Sequence, residues 1–192
     1  MGTKVNSNYD DLLTFTRASK GHALRPVSYG DQEVTNGTYD TDSDWTLQRV
    51  SIAGGVADFS DNSLGPARVI QDDVYTVGKI YLVTFDVNES GTLRVYDGAS
   101  YDGDISVSSG TVSKIIYAEG TQFIIRANVT NDYTGTIDNV SVKEVLFDQP
   151  DATLTLFEHP NNVPRVEYDA AGNRLGLLVE ESRTNLFIIV KN

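Results

Sequence analysis

Side chains able to act as nucleophiles or general bases are scarce in this sequence. It contains no cysteine and two histidines, His22 and His159. Each histidine stands in a turn-like or proline-flanked segment, which favours a loop position over the role of a general base. Acidic pairs are present, but no spacing selects two carboxylates for glycoside hydrolysis. The sequence contains no G-x-S-x-G, H-E-x-x-H or P-loop motif. We therefore predict that the protein is not an enzyme and has no catalytic residues.

The charge balance excludes a further class of function. Fifteen Lys and Arg stand against 27 Asp and Glu, which gives a formal net charge of −12. Nucleic-acid binding depends on clustered cations, so we predict no nucleic-acid partner. No apolar run approaches the ~18 residues of a membrane span, and the amino-terminal segment lacks the apolar region of a secretory signal. We predict neither membrane association nor a signal peptide. The absence of cysteine leaves the redox compartment open.

The elements that must position any functional side chains are β-strands. Apolar and polar residues alternate over residues 79–87, 92–96, 123–129 and 136–142. Turn-forming residues bound these runs at intervals of about 8–12 residues, a spacing that is typical of a sandwich or a barrel. The sequence contains no amphipathic helical stretch of three turns. We predict an all-β fold.

The pattern changes toward the carboxyl end. Residues 148–151 (DQPD) end the run of strands, because proline donates no hydrogen bond to a ladder. Residues 165–168 and 175–180 flank a glycine-containing loop at 169–174, which predicts a β-hairpin. The excess negative charge lies in the central part of the chain, whereas the tail is balanced. With 192 residues, the chain is expected to form one domain with a small appendage.

Four segments resemble, in order, carbohydrate-binding modules of the jelly-roll type. Residues 34–45 (VTNGTYDTDSDW) are similar to the opening of such domains, and residues 137–144 (IDNVSVKE) to their last strand. Residues 72–87 (DDVYTVGKIYLVTFDV) and 91–98 (GTLRVYDG) are similar to the strands between. The resemblance implies a jelly-roll β-sandwich, which we place at residues 31–148.

The same resemblance implies a structural calcium ion. Many jelly-roll binding modules hold calcium between an acid near the first strand and an acid of the last strand. The corresponding residues here are Asp40 and Asp138. Calcium takes six to eight oxygen ligands, which carboxylates and backbone carbonyls can supply. The alternative is that Asp138 ends a strand beside an acidic, solvated loop. We predict no other cofactor.

Glycan binding is the function that this fold family implies. It requires exposed aromatic rings with polar groups beside them. The candidates are Tyr96, Tyr101 and Tyr133, which we expect at strand ends or in loops. We predict that Trp45 is packed in the first strand. The alternative is that the tyrosines bind no ligand, since tyrosine suits a half-buried strand.

Two further segments resemble a module that recurs in virion proteins of tailed bacteriophages. Residues 13–19 read LTFTRAS, and residues 163–186 read VPRVEYDAAGNRLGLLVEESRTNL. In that family the two halves lie close in sequence, whereas here the predicted sandwich separates them, an insertion that a surface loop tolerates. We predict that residues 1–30 and 149–192 form a small clasp module, a β-hairpin module built from the two chain ends. The residues expected to hold the clasp together are Phe15, Arg17, Glu180, Glu181 and Arg183.

The two resemblances together imply a structural protein of a bacteriophage virion, made in the cytoplasm of the bacterial host. We predict that it decorates or cements a capsid, as a homo-oligomer or as many copies on a lattice, with other capsid or tail proteins as partners. The alternative is a tail-fibre or adhesin module that binds a host-surface glycan. Apolar side chains of the clasp are predicted to dock on the virion, although residues 187–190 could instead form a last strand within the monomer. The predicted docking residues are Phe157, Leu177, Leu178, Phe187, Ile188 and Ile189.

Overall fold

The structure is a computed structural model, and it describes residues 21–61, 65–127, 133–149, 151–159 and 166–177. Within these ranges the regular secondary structure consists of fourteen β-strands without a helix. No described segment is therefore a helix of membrane-spanning length and hydrophobicity. The strands are β1 (Gly21–Gln32), β2 (Thr46–Gln48), β3 (Ser51–Ala53), β4 (Val56–Asp58), β5 (Arg68–Gln71), β6 (Ile80–Val87), β7 (Gly91–Val95), β8 (Ile105–Val107), β9 (Gly110–Tyr117), β10 (Phe123–Ala127), β11 (Thr136–Phe147), β12 (Thr153–His159), β13 (Val166–Tyr168) and β14 (Arg174–Leu177).

The chain forms two compact units. The larger unit is Val27–Ala152, and the smaller unit combines Met1–Pro26 with Thr153–Asn192. The division falls inside β1, so this strand contributes residues to both units. The clasp of the two chain ends stays a prediction, because the first twenty residues lie outside the described ranges.

The larger unit is a sandwich of two antiparallel sheets. In sheet I, β11 pairs with β1, β4 and β6, while β9 pairs with β6 and β3 with β4. Sheet II has the strand order β2-β5-β10-β7-β8. Along the chain, β5, β7 and β10 of sheet II alternate with β6, β9 and β11 of sheet I. Repeated crossing between two packed sheets is the jelly-roll arrangement. The predicted all-β jelly-roll β-sandwich is confirmed.

Strand β6 shows how the sequence specifies this packing. Successive side chains of a strand point to opposite faces, so residues two apart share a face. The residues predicted to share one face of this strand are all buried in the core. They are Tyr81, Val83, Phe85 and Val87. Polar Thr84 and Asp86 lie on the other face, and the alternation fixes the register because a one-residue shift would move the four core side chains to that face.

Aromatic rings connect the loop before β2 to sheet II. The Trp45 ring lies 5.1 Å from the Tyr39 ring and 6.2 Å from the Phe123 ring, between centroids. Its Nε1 donates a hydrogen bond to the carbonyl of Asn36 at 2.9 Å. Aromatic pairs of this kind contribute about 0.5–1.5 kcal/mol each beyond the burial of their area. The prediction that Trp45 is packed is confirmed, since only 7% of the residue is exposed, but Trp45 lies in the loop before β2 and not in a strand.

In the smaller unit, β12 pairs with β1, and β13 and β14 form the predicted hairpin. Its loop is closed by the carboxylate of Asp169, which accepts hydrogen bonds from the backbone N–H groups of Ala171 at 2.9 Å and Asn173 at 2.8 Å. The side-chain amide of Asn173 donates a third bond at 2.9 Å. These bonds from Asn173 and Ala171 lower the pKa of Asp169. The loop turns at Gly172 with φ 82°, a conformation that glycine adopts without strain.

Candidate functional site

Sheet II has one face in the core and one face outside it. In β10, the side chains of Phe123, Ile125 and Ala127 are fully buried in the core. Ile124 and Arg126 therefore point to the opposite side, which we call the outer face. Residues directly opposite each other on neighbouring strands share a face, and the register adds further members to the outer face. These are Thr46, Gln48, Arg68, Ile70, Arg94 and Tyr96.

Three arginines form a row across the outer face. Arg126 of β10 lies opposite Arg68 of β5 on one side and Arg94 of β7 on the other. Like charges placed directly opposite each other in a sheet are destabilising. The residues from 27 to 152 contain four arginines in all, so three of them occupy this one row.

Each arginine of the row has a different partner. The Nε of Arg68 donates a hydrogen bond to the side-chain oxygen of Gln48. The Nε of Arg94 forms an ion pair with Asp104, and this hydrogen bond raises the pKa of Arg94. The guanidinium carbon of Arg126 lies 4.9 Å from the centroid of the Tyr101 ring. A guanidinium over an aromatic face is attracted by the ring quadrupole. One carboxylate therefore serves the row among the described residues.

Two tyrosines stand beside the row. Tyr96 and Tyr101 face each other as an isolated antiparallel bridge, and their ring centroids lie 5.0 Å apart at an interplanar angle of 54°. Both residues are half-buried. Within the described part of the chain, neither phenol hydroxyl forms a hydrogen bond. The pair therefore presents ring surface and two available hydroxyl groups next to Arg126.

An apolar side chain underlies this part of the outer face. Ile124 is only 4% exposed, yet it does not belong to the main core. Its cross-strand neighbours on the outer face are Ile70 and Tyr96. The outer face therefore combines an apolar floor with the rings and cations around it, and such a combination is typical of ligand sites.

The turn that carries Tyr101 is held by a buried carboxylate. Asp97 is 8% exposed, and its Oδ1 accepts hydrogen bonds from the backbone N–H groups of Ala99 at 2.8 Å and Ser100 at 2.5 Å. Its Oδ2 accepts a third bond from the Ser100 hydroxyl at 2.9 Å. An aspartate that binds its own following backbone stabilises a tight turn. Asp97 thus positions Tyr101 against Tyr96.

A close backbone contact between Gly98 and Gly120 also holds this turn in place. A Cβ added to Gly120 would lie 2.0 Å from the carbonyl oxygen of Gly98. The carbonyl of Asp97 accepts hydrogen bonds from the backbone N–H groups of Glu119 at 2.8 Å and Gly120 at 3.2 Å. Two glycines are therefore needed where these segments meet, since any side chain would separate them.

The expectation that Tyr133 is exposed in a loop is wrong. The residue is fully buried, and its ring packs against Phe59 at a centroid distance of 6.0 Å. Its hydroxyl donates a hydrogen bond to the carbonyl of Thr136 at 2.6 Å. Burial raises the pKa of Tyr133 to about 12. Tyr133 belongs to the core, and only Tyr96 and Tyr101 of the three candidates are brought together.

Asp40 and Asp138, the predicted calcium ligands, are engaged in local hydrogen bonds. The Oδ2 of Asp40 accepts a bond from the Thr38 hydroxyl at 2.8 Å, and the Oδ1 of Asp138 accepts one from the backbone N–H of Asn139 at 2.6 Å. Burial, and then the charge of Asp138, raise the pKa of Tyr39, whose buried hydroxyl has no hydrogen-bond partner among the described residues.

The donor set for such a cation is small. No group of three or more histidine, aspartate or glutamate side chains suited to a metal occurs among the described residues. Calcium binds six to eight oxygen ligands, so carbonyls or water would have to supply most of them. One oxygen of Asp40 and one of Asp138 carry no hydrogen bond within the described ranges and remain suited to a cation. The calcium site stays a prediction.

Most of the predicted clasp and docking residues lie outside the described part of the chain. This holds for the five clasp residues and for four docking positions, Leu178, Phe187, Ile188 and Ile189. Leu177 ends β14, and its side chain is not among those described. Phe157 is 4% exposed and packs against His159, with ring centroids 5.1 Å apart. Because Phe157 is buried, its predicted role at a docking surface is wrong.

The row of arginines was missed from the sequence. Arg68, Arg94 and Arg126 are 26 and 32 residues apart, and only strand pairing brings them together. The available signal was the position of Arg126 inside an otherwise apolar strand, where an outward cation is unusual. That signal identifies one outward residue, whereas the row depends on the register of three strands.

Comparison with known proteins gives a likeness in fold. No protein family and no curated protein matches this sequence. A solved structure described as "CBM4 structure and function" is similar at 14% identity and a TM-score of 0.36, over 58% of this chain and 99% of that one. A CBM35 from Paenibacillus barcinonensis is similar at 11% identity and a TM-score of 0.33, over 65% of this chain and 98% of that one.

A family 35 carbohydrate-binding module from Clostridium thermocellum is similar at 10% identity and a TM-score of 0.35. The match spans 67% of this chain and 98% of that one. Likeness at this level concerns the arrangement of strands alone.

Proposed function

We propose that this protein is a non-enzymatic glycan-binding module, whose ligand lies on the outer face of sheet II. The observation that carries the proposal is the pair Tyr96 and Tyr101, with its available hydroxyl groups, beside the stacked guanidinium of Arg126. A sugar ring has an apolar face that packs on an aromatic ring and an edge of hydroxyls that needs polar partners. The outer face offers both within one patch.

The setting proposed for this binding is a bacteriophage particle, where the module would act as an adhesin for a glycan of the host surface. This part of the proposal rests on the resemblance of residues 13–19 and 163–186 to a module of virion proteins. The rigid turn around Asp97 supports the binding role, because it holds Tyr101 before a ligand arrives. A preorganised site loses less conformational entropy on binding.

The experiment measures binding of the intact chain to an array of bacterial surface polysaccharides. Tyr96→Ala and Tyr101→Ala should each weaken binding about tenfold or more, as for an aromatic anchor in an interface. Tyr117→Ala is the matched control, because Tyr117 is a partly exposed tyrosine on sheet I. The proposal fails if the native chain binds no polysaccharide, or if the three variants behave alike.

Capsid decoration is the second candidate function. Its specific support is apolar surface on the smaller unit, where Leu156 is 63% and Leu175 is 62% exposed. Leu156 lies on β12 and Leu175 on β14, and exposed apolar surface favours contact with another protein. The test is incorporation of the chain into particles after Leu156→Ser and Leu175→Ser together. Loss of incorporation with unchanged glycan binding would support decoration, whereas unchanged incorporation would contradict it.

A further inference from the structure

A neutral sugar requires no positive charge at its binding site, yet the outer face carries three cations in a row, Arg68, Arg126 and Arg94. We infer that the outer face selects acidic glycans, whose sugars carry carboxylate or sulfate groups. This inference rests on the proposed function and names the class of ligand for the same site. The row would bind the anionic oxygens, while Tyr96 and Tyr101 contact the sugar rings.

The row is an electrostatic cost that the protein itself does not fully offset. Neighbouring strands lie about 4.8 Å apart, so three adjacent guanidinium-bearing positions span roughly 10 Å. Among the described residues, only Arg94 has a carboxylate partner, while Arg68 bonds to neutral Gln48 and Arg126 stacks on neutral Tyr101. An anionic ligand would supply the missing negative charge.

Arg126 adds a second energetic cost to the row. Its Nε is buried and forms no hydrogen bond within the described part of the chain. A buried donor without an acceptor costs free energy, more so when the group is charged. Guanidinium groups bind carboxylate and sulfate oxygens through paired N–H donors in one plane. An acidic group at the row would therefore supply the negative charge that the guanidinium of Arg126 lacks.

The surroundings of the row favour a sugar over a nucleic acid. The residues from 27 to 152 contain twenty acidic and seven basic residues, so the row is a short cationic strip within an acidic unit. Asp104 closes one end of the strip, where it pairs with Arg94. A continuous phosphate backbone would leave the strip and meet the surrounding carboxylates, whereas a sugar with separate acidic groups can stay on it.

The test uses surface polysaccharides printed on one array in native, carboxyl-reduced and desulfated form. We expect the strongest binding to acidic polysaccharides, and a loss of about tenfold or more after the treatment that removes the acidic group. Sensitivity to carboxyl reduction identifies uronate-type carboxylates as the source, and sensitivity to desulfation identifies sulfates. Tyrosine-dependent binding that survives both treatments overturns the inference and leaves the proposed function standing. Absence of any tyrosine-dependent binding overturns both.

Two charge-matched variants test the row itself. Arg68→Gln should weaken binding to acidic polysaccharides about tenfold, a larger loss than for neutral ones. Lys143→Gln removes the same charge from β11 of sheet I and should change neither. Equal effects of the two variants would show general electrostatics and overturn the inference. Tighter binding of a single-stranded oligonucleotide than of any glycan would overturn it in favour of a nucleic acid.

Discussion

Replacing Gly120 by alanine should destabilise the larger unit by about 3 kcal/mol, because it introduces steric strain and breaks backbone hydrogen bonds. The new Cβ would lie 2.0 Å from the carbonyl oxygen, 2.4 Å from the carbonyl carbon and 2.9 Å from the Cα of Gly98. All three atoms belong to the backbone, so no side-chain rotation relieves the clash. The two segments must separate by more than 1 Å, since van der Waals contact needs roughly 3.5 Å.

The magnitude follows from what this separation breaks. The hydrogen bonds from Glu119 and Gly120 to the carbonyl of Asp97, at 2.8 Å and 3.2 Å, would both be lost. Each backbone hydrogen bond contributes about 0.5–1.5 kcal/mol net, and overpacking adds about 1–3 kcal/mol of strain. A loss of about 3 kcal/mol corresponds to a fall in melting temperature of about 10 °C for a unit of this size.

The assay follows the fluorescence of Trp45, the single tryptophan of the chain, which is buried in the larger unit. Gly103→Ala is the control, because Gly103 has a positive φ of 71° but open space around its Cβ position. That variant should cost about 1 kcal/mol, the penalty of a left-handed conformation for alanine. If Gly120→Ala cost no more than Gly103→Ala, the steric argument would be refuted. Gly120→Ala should also weaken glycan binding, because the same turn carries Tyr101.

Further predictions concern the core, the calcium site, pH and the chain end. Tyr133→Phe should cost about 1 kcal/mol in chemical unfolding through loss of the hydrogen bond to the carbonyl of Thr136, with glycan binding unchanged. If the calcium prediction holds, millimolar calcium should raise the melting temperature by mass action, and Asp138→Asn should abolish the rise. A hydrogen bond from Thr111 lowers the pKa of Asp86 below its ordinary 3.8. The contribution of this bond to the free energy of unfolding is therefore present above pH 3.8 and is lost as the pH falls through the lowered pKa. Thr111→Val should therefore shrink the loss of stability on acidification, measured by unfolding at several pH values. Deleting residues 187–192 should prevent incorporation into particles without changing the melting temperature.

Each of these four predictions has a result that would contradict it. A loss of glycan binding in Tyr133→Phe would return that tyrosine to the binding site. An absent calcium effect, with Asp138→Asn also neutral, would reduce the region to a solvated loop. An acid transition that is the same with and without Thr111 would contradict the role of its hydroxyl. Loss of folding on deletion of residues 187–192 would make the chain end part of the core.

The strands of the sandwich could be predicted because their signal is local. The alternation in residues 79–87 fixes which side chains face inward, and the structure has β6 there. The pattern in residues 136–142 predicted the position of β11 but not which of its side chains face inward, because the alternation shifts at a bulge between Asp138 and Ser141. A bulge adds one residue to one strand and changes which face the following side chains take.

The candidate site was predictable only in part, because exposure depends on distant partners. Tyr101 and Tyr133 look alike in sequence, since each follows a group of turn-forming residues. Tyr133 is buried because Phe59, more than seventy residues earlier, packs against it. Tyr101 stays half-exposed because its neighbours Tyr96 and Arg126 come from the outer face of sheet II. No local pattern distinguishes these two environments.

In strand β10, residues that the core requires alternate with outward residues that can vary. Its alternate residues belong to the core and to the outer face, so a substitution at Ile124 or Arg126 alters the proposed ligand surface without changing the side chains of Phe123 or Ile125 in the core. A lineage under pressure to recognise a new sugar could therefore exchange outward residues one codon at a time while the scaffold stays intact. Insertion of one residue would do the reverse, since it would turn Arg126 into the interior and end folding and recognition together.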